Sequence, residues 1–123
     1  CATKKDLSVL GYCIKGLYDN LKHPIGKIFI VTPSNLELDL LKTLYPSIIH
    51  LNEDEILPIT RLDIDYVVNG QDRSGWLFQQ LLKLSVDQIS DSENVLIIDA
   101  DTVLVSPQLY EFNGKNILDY STM

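Results

Sequence analysis

Two aspartates one residue apart, Asp99 and Asp101, stand where an apolar run stops. The run is residues 95–98 (VLII), and apolar character resumes at residues 103–105 (VLV). Four consecutive apolar residues, three of them β-branched, predict a strand buried on both faces, as in a parallel sheet. Nothing in such a strand needs two carboxylates at its end. In open α/β sheets, ligands collect beyond the carboxyl ends of the strands. A D-x-D placed there has the chemistry to hold Mg²⁺ or Mn²⁺, hard cations that take oxygen ligands and bridge to phosphates. The plainer reading is that acidic residues end strands in turns. The apolar runs on both sides weigh against it, because they put the pair at an internal sheet edge.

The elements that must position this pair follow in chain order. Asp6 is a helix cap for residues 7–21, where Leu7, Leu10, Ile14, Leu17, Tyr18 and Leu21 make one apolar face. His23-Pro24-Ile25-Gly26 stops that helix. Residues 27–32 (KIFIVT) read as a buried strand, and Pro33-Ser34-Asn35 restarts a helix carrying Leu36, Leu40, Leu41 and Leu44. Residues 47–51 (SIIHL) read as a further strand. Helix, strand, helix, strand implies a parallel sheet with right-handed crossovers.

Residues 52–58 (NEDEILP) read as a capped single turn whose acids are solvated and favoured by the helix dipole, rather than as a metal cluster. Residues 61–72 read as a loop with a short strand at 66–68 and turn signals at Asn69-Gly70 and Gln71-Asp72. Ser74 or Asp72 opens a long helix over residues 75–89, with Trp76, Leu77, Gln80, Leu81, Leu84 and Ile89 near one face. Gln79, Gln80 and Lys83 lie one turn apart and are able to project together toward the ligand edge. After Pro107, residues 108–112 read as a helical turn, Asn113-Gly114 as a turn, and residues 116–120 as a last strand.

The bulk numbers bound the function. A chain of 123 residues is one domain's worth or part of one, and 46% hydrophobic with 22% charged residues is globular composition. The net charge of −7 argues against a general nucleic-acid or anionic-membrane binder. No apolar stretch approaches the roughly 20 residues that span a bilayer, and no signal peptide is visible. Cys1 and Cys13, without a CxxC or paired histidines, predict reduced thiols in a cytoplasmic protein. The chain starts at Cys just before a helix, so a first strand is expected on its N-terminal side. His23 and His50 have no partners at ligand spacing and read as structural or exposed.

Three stretches then line up: Thr3–Asp6 (TKKD), residues 73–84 (RSGWLFQQLLKL), and residues 95–105 (VLIIDADTVLV). Together they resemble the nucleotide-sugar-binding half of glycosyltransferases with the GT-A fold. The likeness is nearest to a bacterial family known mainly from sequence, with an R-x-G-W-x-x-Q-Q-x-x-K-L helix before the D-x-D strand. Glycogenin-like transferases are similar at greater distance, with a Lys-Leu-bearing helix, a hydrophobic strand, then D-A-D-T. The resemblance covers about Thr3 to Pro107. It implies that Asp101 ligates Mn²⁺ or Mg²⁺ and that Asp99 binds the metal or the donor ribose. It implies Thr3 and Asp6 near the nucleoside, and Arg73 and Lys83 facing the diphosphate or sugar, where fixed cations offset charge on the leaving phosphate. Gln79 and Gln80 are its weaker candidates for sugar hydroxyl contacts.

Read without the resemblance, Lys83 is a solvated helix lysine, Arg73 pairs with Asp72 or another surface acid, and Trp76 is core packing. The expected architecture is therefore a three-layer α/β fold with a mostly parallel sheet, of the nucleotide-diphospho-sugar transferase type. Residues 1–123 form its donor-binding half, truncated at both ends, so that exposed apolar sheet surface is able to drive self-association. The acceptor pocket and catalytic base of GT-A enzymes come from chain after the D-x-D strand, where only residues 106–123 remain. The implied ligand is a nucleoside-diphosphate sugar, the acceptor being open. Two other classes stay open. One is a non-catalytic α/β binding or assembly domain. The other is a haloacid-dehalogenase-type phosphatase, since Asp99-Ala100-Asp101-Thr102-Val103-Leu104 fits its loose first motif, with Asp99 as nucleophile and Asp101 as general acid/base.

Overall fold

A computed structural model describes residues 1–112, 115 and 116. The chain enters through a 3-10 turn, Lys4–Asp6, and continues directly into α1, Leu7–Asn20. β1 (Ile28–Thr32), α2 (Asp39–Leu44) and β2 (Ile48–Asn52) follow. β1 and β2 pair in parallel, Ile28 opposite Ile48 through Thr32 opposite Asn52. The α/β alternation expected from the sequence is present, with each strand starting one residue later than the apolar run predicted. α2 is shorter than expected: Leu36 and Leu38 are buried ahead of it, and Leu40 and Leu44 on the helix are exposed.

Successive side chains of a strand point to opposite faces, and both faces of this small sheet are covered. On one face Ile30 and Ile48 pack with Leu10 and Ile14 of α1, together with Ala2 and Leu38. On the other, Val31 packs with Phe78 and Leu82 of α3, Ser74–Leu84. Phe78, Leu82 and Ile14 are no more than 1% exposed and anchor the two clusters.

Between β2 and α3 the chain makes two single 3-10 turns, Glu53–Glu55 and Arg61–Asp63, and a tight hairpin. In the hairpin β3 (Val67–Val68) pairs antiparallel with β4 (Gln71–Asp72). Asn69 and Gly70 bridge them with φ of 52° and 77°, the left-handed pair that a type I′ turn demands and that Asn-Gly supplies at low cost. α3 ends at Leu84 rather than running to residue 89, and a 3-10 turn, Val86–Gln88, finishes the approach. Its core face also differs from the expected one. Ser74, Phe78 and Leu82, spaced four apart, are buried, while Trp76 and Leu84 are exposed.

The main correction concerns residues 95–98. They form no strand; Val95, Leu96 and Ile97 are 43%, 42% and 47% exposed. A β-branched run becomes a strand only against a free edge within hydrogen-bonding reach. Here a cavity of about 1560 Å³, lined by both β1 and residues 95–98, lies against that edge. The parallel sheet is accordingly two-stranded among the described residues, not the wider sheet expected. Residues 108–112 make no helical turn. Leu21 and Gln108 form an isolated parallel bridge, and β5 (Glu111–Phe112) pairs with β6 (Lys115–Asn116). The predicted turn at Asn113-Gly114, and the predicted last strand beyond Asn116, lie outside the described residues.

No helix of the described chain is long and apolar enough to cross a membrane.

Candidate functional site

The aspartate pair sits on a turn. The Thr102 N–H donates to the Asp99 carbonyl at 3.0 Å, closing residues 99–102 so that both carboxylates project from one tight loop. Two elements hold this turn in place. From α1, the Cys13 thiol lies 3.8 Å from the Asp99 carbonyl oxygen as donor, and Asn20 Nδ2 donates to the Leu104 carbonyl at 2.6 Å. Gly16 is buried against the Leu104 backbone, where a Cβ would stand 2.8 Å from the carbonyl oxygen. Ala100, between the aspartates, packs on the α1 side of the core. From α3, Lys83 Nζ reaches Asp99 Oδ1 at 2.6 Å.

That contact joins the two most distinctive stretches of the sequence. Lys83 is largely shielded, with its side chain 21% exposed, whereas Asp99 is 64% exposed. The ammonium hydrogen bond holds the Asp99 carboxyl below the usual carboxylate range. Lys83 therefore is not a freely solvated lysine. It is held against the aspartate turn.

The chain's amino terminus joins the group. The Cys1 amine has a lowered pKa, first because burial disfavours its charge and second because Lys83 is near; Asp99 and Asp6 act in the opposite direction. The Cys13 thiol is pushed up by burial and by Asp101, against the pull of the amino terminus. Asp6, Cys13, Lys83 and Asp99 thus all act on the Cys1 amine, and Asp101 acts on Cys13.

The other expected site residues divide. Thr3 and Asp6 are engaged with each other: Asp6 Oδ2 accepts from the Thr3 N–H at 2.8 Å and from its hydroxyl at 3.1 Å. They form the local start of the 3-10 turn, and Asp6 is near the Cys1 amine. Arg73 packs its guanidinium over the Trp76 ring at 4.8 Å, one turn further along its own helix. Asp72 caps that helix by accepting from the Ser74 N–H at 2.9 Å. The Arg73–Trp76 stack replaces both the surface ion pair and the core role expected of the two residues. Gln79 and Gln80 are half-buried on α3, one turn before Lys83.

The pattern did not single out Glu53 and Arg61. Glu53, first of three consecutive acids, is 5% exposed, and Arg61 Nη2 approaches it at 3.6 Å. Burial raises the Glu53 carboxyl above its ordinary value, with Arg61 opposing. The solvated reading of this acidic turn holds for Asp54 and Glu55 but not for Glu53. His50 Nε2 lies 2.6 Å from the Thr32 hydroxyl at the end of β1, and His23 Nε2 accepts from the Tyr110 N–H at 2.9 Å; both histidines are structural.

Among the described residues no group of three or more His, Cys, Asp or Glu side chains forms a metal cage. The donor set is instead two carboxylates, one with an oxygen already taken by Lys83. Mg²⁺-type cations are commonly held by one or two carboxylates plus substrate phosphates and water, and the Asp99/Asp101 pair fits that mode. No protein-family model, curated protein or solved structure matches the chain.

Proposed function

We propose that this chain is the donor-binding portion of a metal-dependent glycosyltransferase with a three-layer, GT-A-type fold, acting in the cytoplasm. Its ligand is a nucleoside-diphosphate sugar, and the sugar goes to an acceptor selected by other parts of the enzyme. The observation that carries the reading is the 2.6 Å contact between Lys83 and Asp99. It brings the helix with the R-x-G-W-x-x-Q-Q-x-x-K-L pattern onto the D-A-D-T turn, so that one lysine and two carboxylates share one edge. A diphosphate leaving group needs positive charge, and a net acidic protein supplies it through a fixed lysine and a bound cation.

In this reading Asp101 and the Asp99 oxygen not taken by Lys83 would hold Mn²⁺ or Mg²⁺, which would supply positive charge against that of the diphosphate. Lys83 keeps Asp99 ionised and oriented, and offers the phosphates a second cation. Arg73, stacked on Trp76, Gln79 and Gln80 are contacts of the sugar or diphosphate, and Thr3 and Asp6 line the nucleoside side.

The test is calorimetric titration of the chain and its Asp101→Asn variant with UDP, GDP and CDP, each with and without Mn²⁺. The expected result is Mn²⁺-dependent binding of one nucleotide that the variant loses. A folded chain that binds none of them with Mn²⁺ overturns the donor-site reading and leaves the non-catalytic binding domain in its place.

A further inference from the structure

We propose that Thr102 and Tyr110 are specificity-determining residues for the sugar of the donor, which they read in a cleft beside the aspartate turn. This role rests on the donor-site reading above and adds two residues to it. The cleft has a volume of about 300 Å³ and is lined by Lys83, Asp99, Thr102 and Tyr110 together with the aliphatic run 96–98. At roughly 30 Å³ per water it has room for about ten waters, at the small end of ligand pockets. That suits one sugar ring and is too little for a whole nucleoside-diphosphate sugar.

The position of the cleft selects which part of the donor fills it. In a nucleoside-diphosphate sugar the anomeric carbon is bonded directly to a phosphate oxygen, whereas the ribose holds the base away from the phosphates. Lys83 and Asp99 are the groups that would face the phosphates, and both line the cleft. The ring nearest to them is therefore the sugar. A sugar ring has apolar C–H faces and a rim of hydroxyls, and the cleft offers it aliphatic residues and polar groups together.

Those polar groups are available. The Thr102 N–H closes the turn onto the Asp99 carbonyl, but its hydroxyl has no hydrogen-bond partner among the described residues. The same holds for the Tyr110 hydroxyl. A hydroxyl both donates and accepts, so each is able to meet a sugar hydroxyl in either role. Lys83 has given Asp99 only one of the three donors an ammonium carries.

The main chain brings Tyr110 to this place. Its N–H donates to His23 Nε2 at 2.9 Å. Two residues earlier the Gln108 N–H donates to the Asn20 carbonyl at 2.8 Å, and the Gln108 carbonyl accepts from the Lys22 N–H at 2.9 Å. The end of α1 and the loop after it thus anchor Tyr110 through its backbone, leaving its half-buried side chain to the cleft. Thr102 comes to the same cleft from the turn itself.

Calorimetry in the presence of Mn²⁺ tests the assignment on the chain and on its Tyr110→Ala and Thr102→Ala variants. Each bare nucleotide is compared with its sugar forms: UDP with UDP-glucose and UDP-N-acetylglucosamine, GDP with GDP-mannose, CDP with CDP-glucose. The unaltered chain should bind one sugar nucleotide more tightly than the matching bare nucleotide. Each variant should bind that sugar nucleotide about tenfold more weakly, the effect of one good hydrogen bond. Both should keep their affinity for the bare nucleotide, which also reports that they are folded. Equal losses for the bare and sugar nucleotides, or no loss in either variant, overturn the assignment of Thr102 and Tyr110 while leaving the donor site standing. So does an unaltered chain that binds no sugar nucleotide more tightly than its nucleotide. A chain that binds no nucleotide at all removes the donor site and this role together.

Discussion

The aspartate turn hangs on α1 through Gly16, and that dependence yields a prediction with a sign. Gly in a helix interior ordinarily costs about 1 kcal/mol relative to Ala, so Gly→Ala in α1 should stabilise unless something stands in the way. At Gly11 nothing does: the added Cβ would meet only Leu41 Cδ2, at 3.8 Å. At Gly16 it would meet the Leu104 carbonyl oxygen at 2.8 Å and the amide nitrogen at 3.0 Å, backbone atoms unable to rotate aside. Overpacking of this kind costs about 1–3 kcal/mol. Shifting Leu104 also strains the 2.6 Å Asn20–Leu104 hydrogen bond, a contact worth about 1 kcal/mol net. The sum favours destabilisation by about 1–3 kcal/mol for Gly16→Ala, against a gain of up to about 1 kcal/mol for Gly11→Ala. Urea unfolding followed by circular dichroism separates the two. If both variants stabilised equally, α1 would not abut the backbone at residue 104, and the account of how the aspartates are held would fail. Nucleotide titration of Gly16→Ala adds a functional readout, since Leu104 is two residues from Thr102, which closes the turn.

Replacing Lys83 by Met should raise the Asp99 carboxyl toward its ordinary value, read by NMR titration of the side-chain carboxyl; an unmoved value refutes the ion pair. Because folding lowers this acid's pKa, its stabilisation is present above the unfolded value of about 4 and fades as pH falls through the folded value. For so exposed a partner the effect stays within about 1 kcal/mol. Phe78→Ala, at a site with 0% exposure, should cost about 3–5 kcal/mol by urea unfolding, a large share of the roughly 5–15 kcal/mol a domain has. The Cys13 thiol, buried and raised in pKa, should react with a disulfide reagent far more slowly in the native chain than in denaturant; equal rates would mean that α1 does not cover it.

Where the sequence was legible, the signal was local. Leu10 and Ile14 announce α1 by their spacing, KIFIVT and SIIHL announce β1 and β2, and Asn69-Gly70 announces its turn because few residues tolerate the required φ. Lys83 and Asp99 were both nameable in advance, as members of two stretches that resembled one family; their contact spans sixteen residues. Periodicity gave α3 its existence but not its rotation. Phe78 and Leu82 took the core, and Trp76, two residues before Phe78, turned outward, because residues two apart do not share a helix face. Glu53 was hidden for a different reason: three consecutive acids look alike in a sequence, and only the approach of Arg61 and the sheet distinguishes the one that is buried.

Residues 95–98 mark the deeper limit. Their composition states that they are fit to be a strand, but pairing belongs to two segments, and the second is an edge that this run does not reach. The aspartates are consequently positioned from the helices rather than from the strand expected to lead into them. Cys13, Gly16 and Asn20 of α1 hold the turn's backbone, and Lys83 of α3 holds one of its carboxylates.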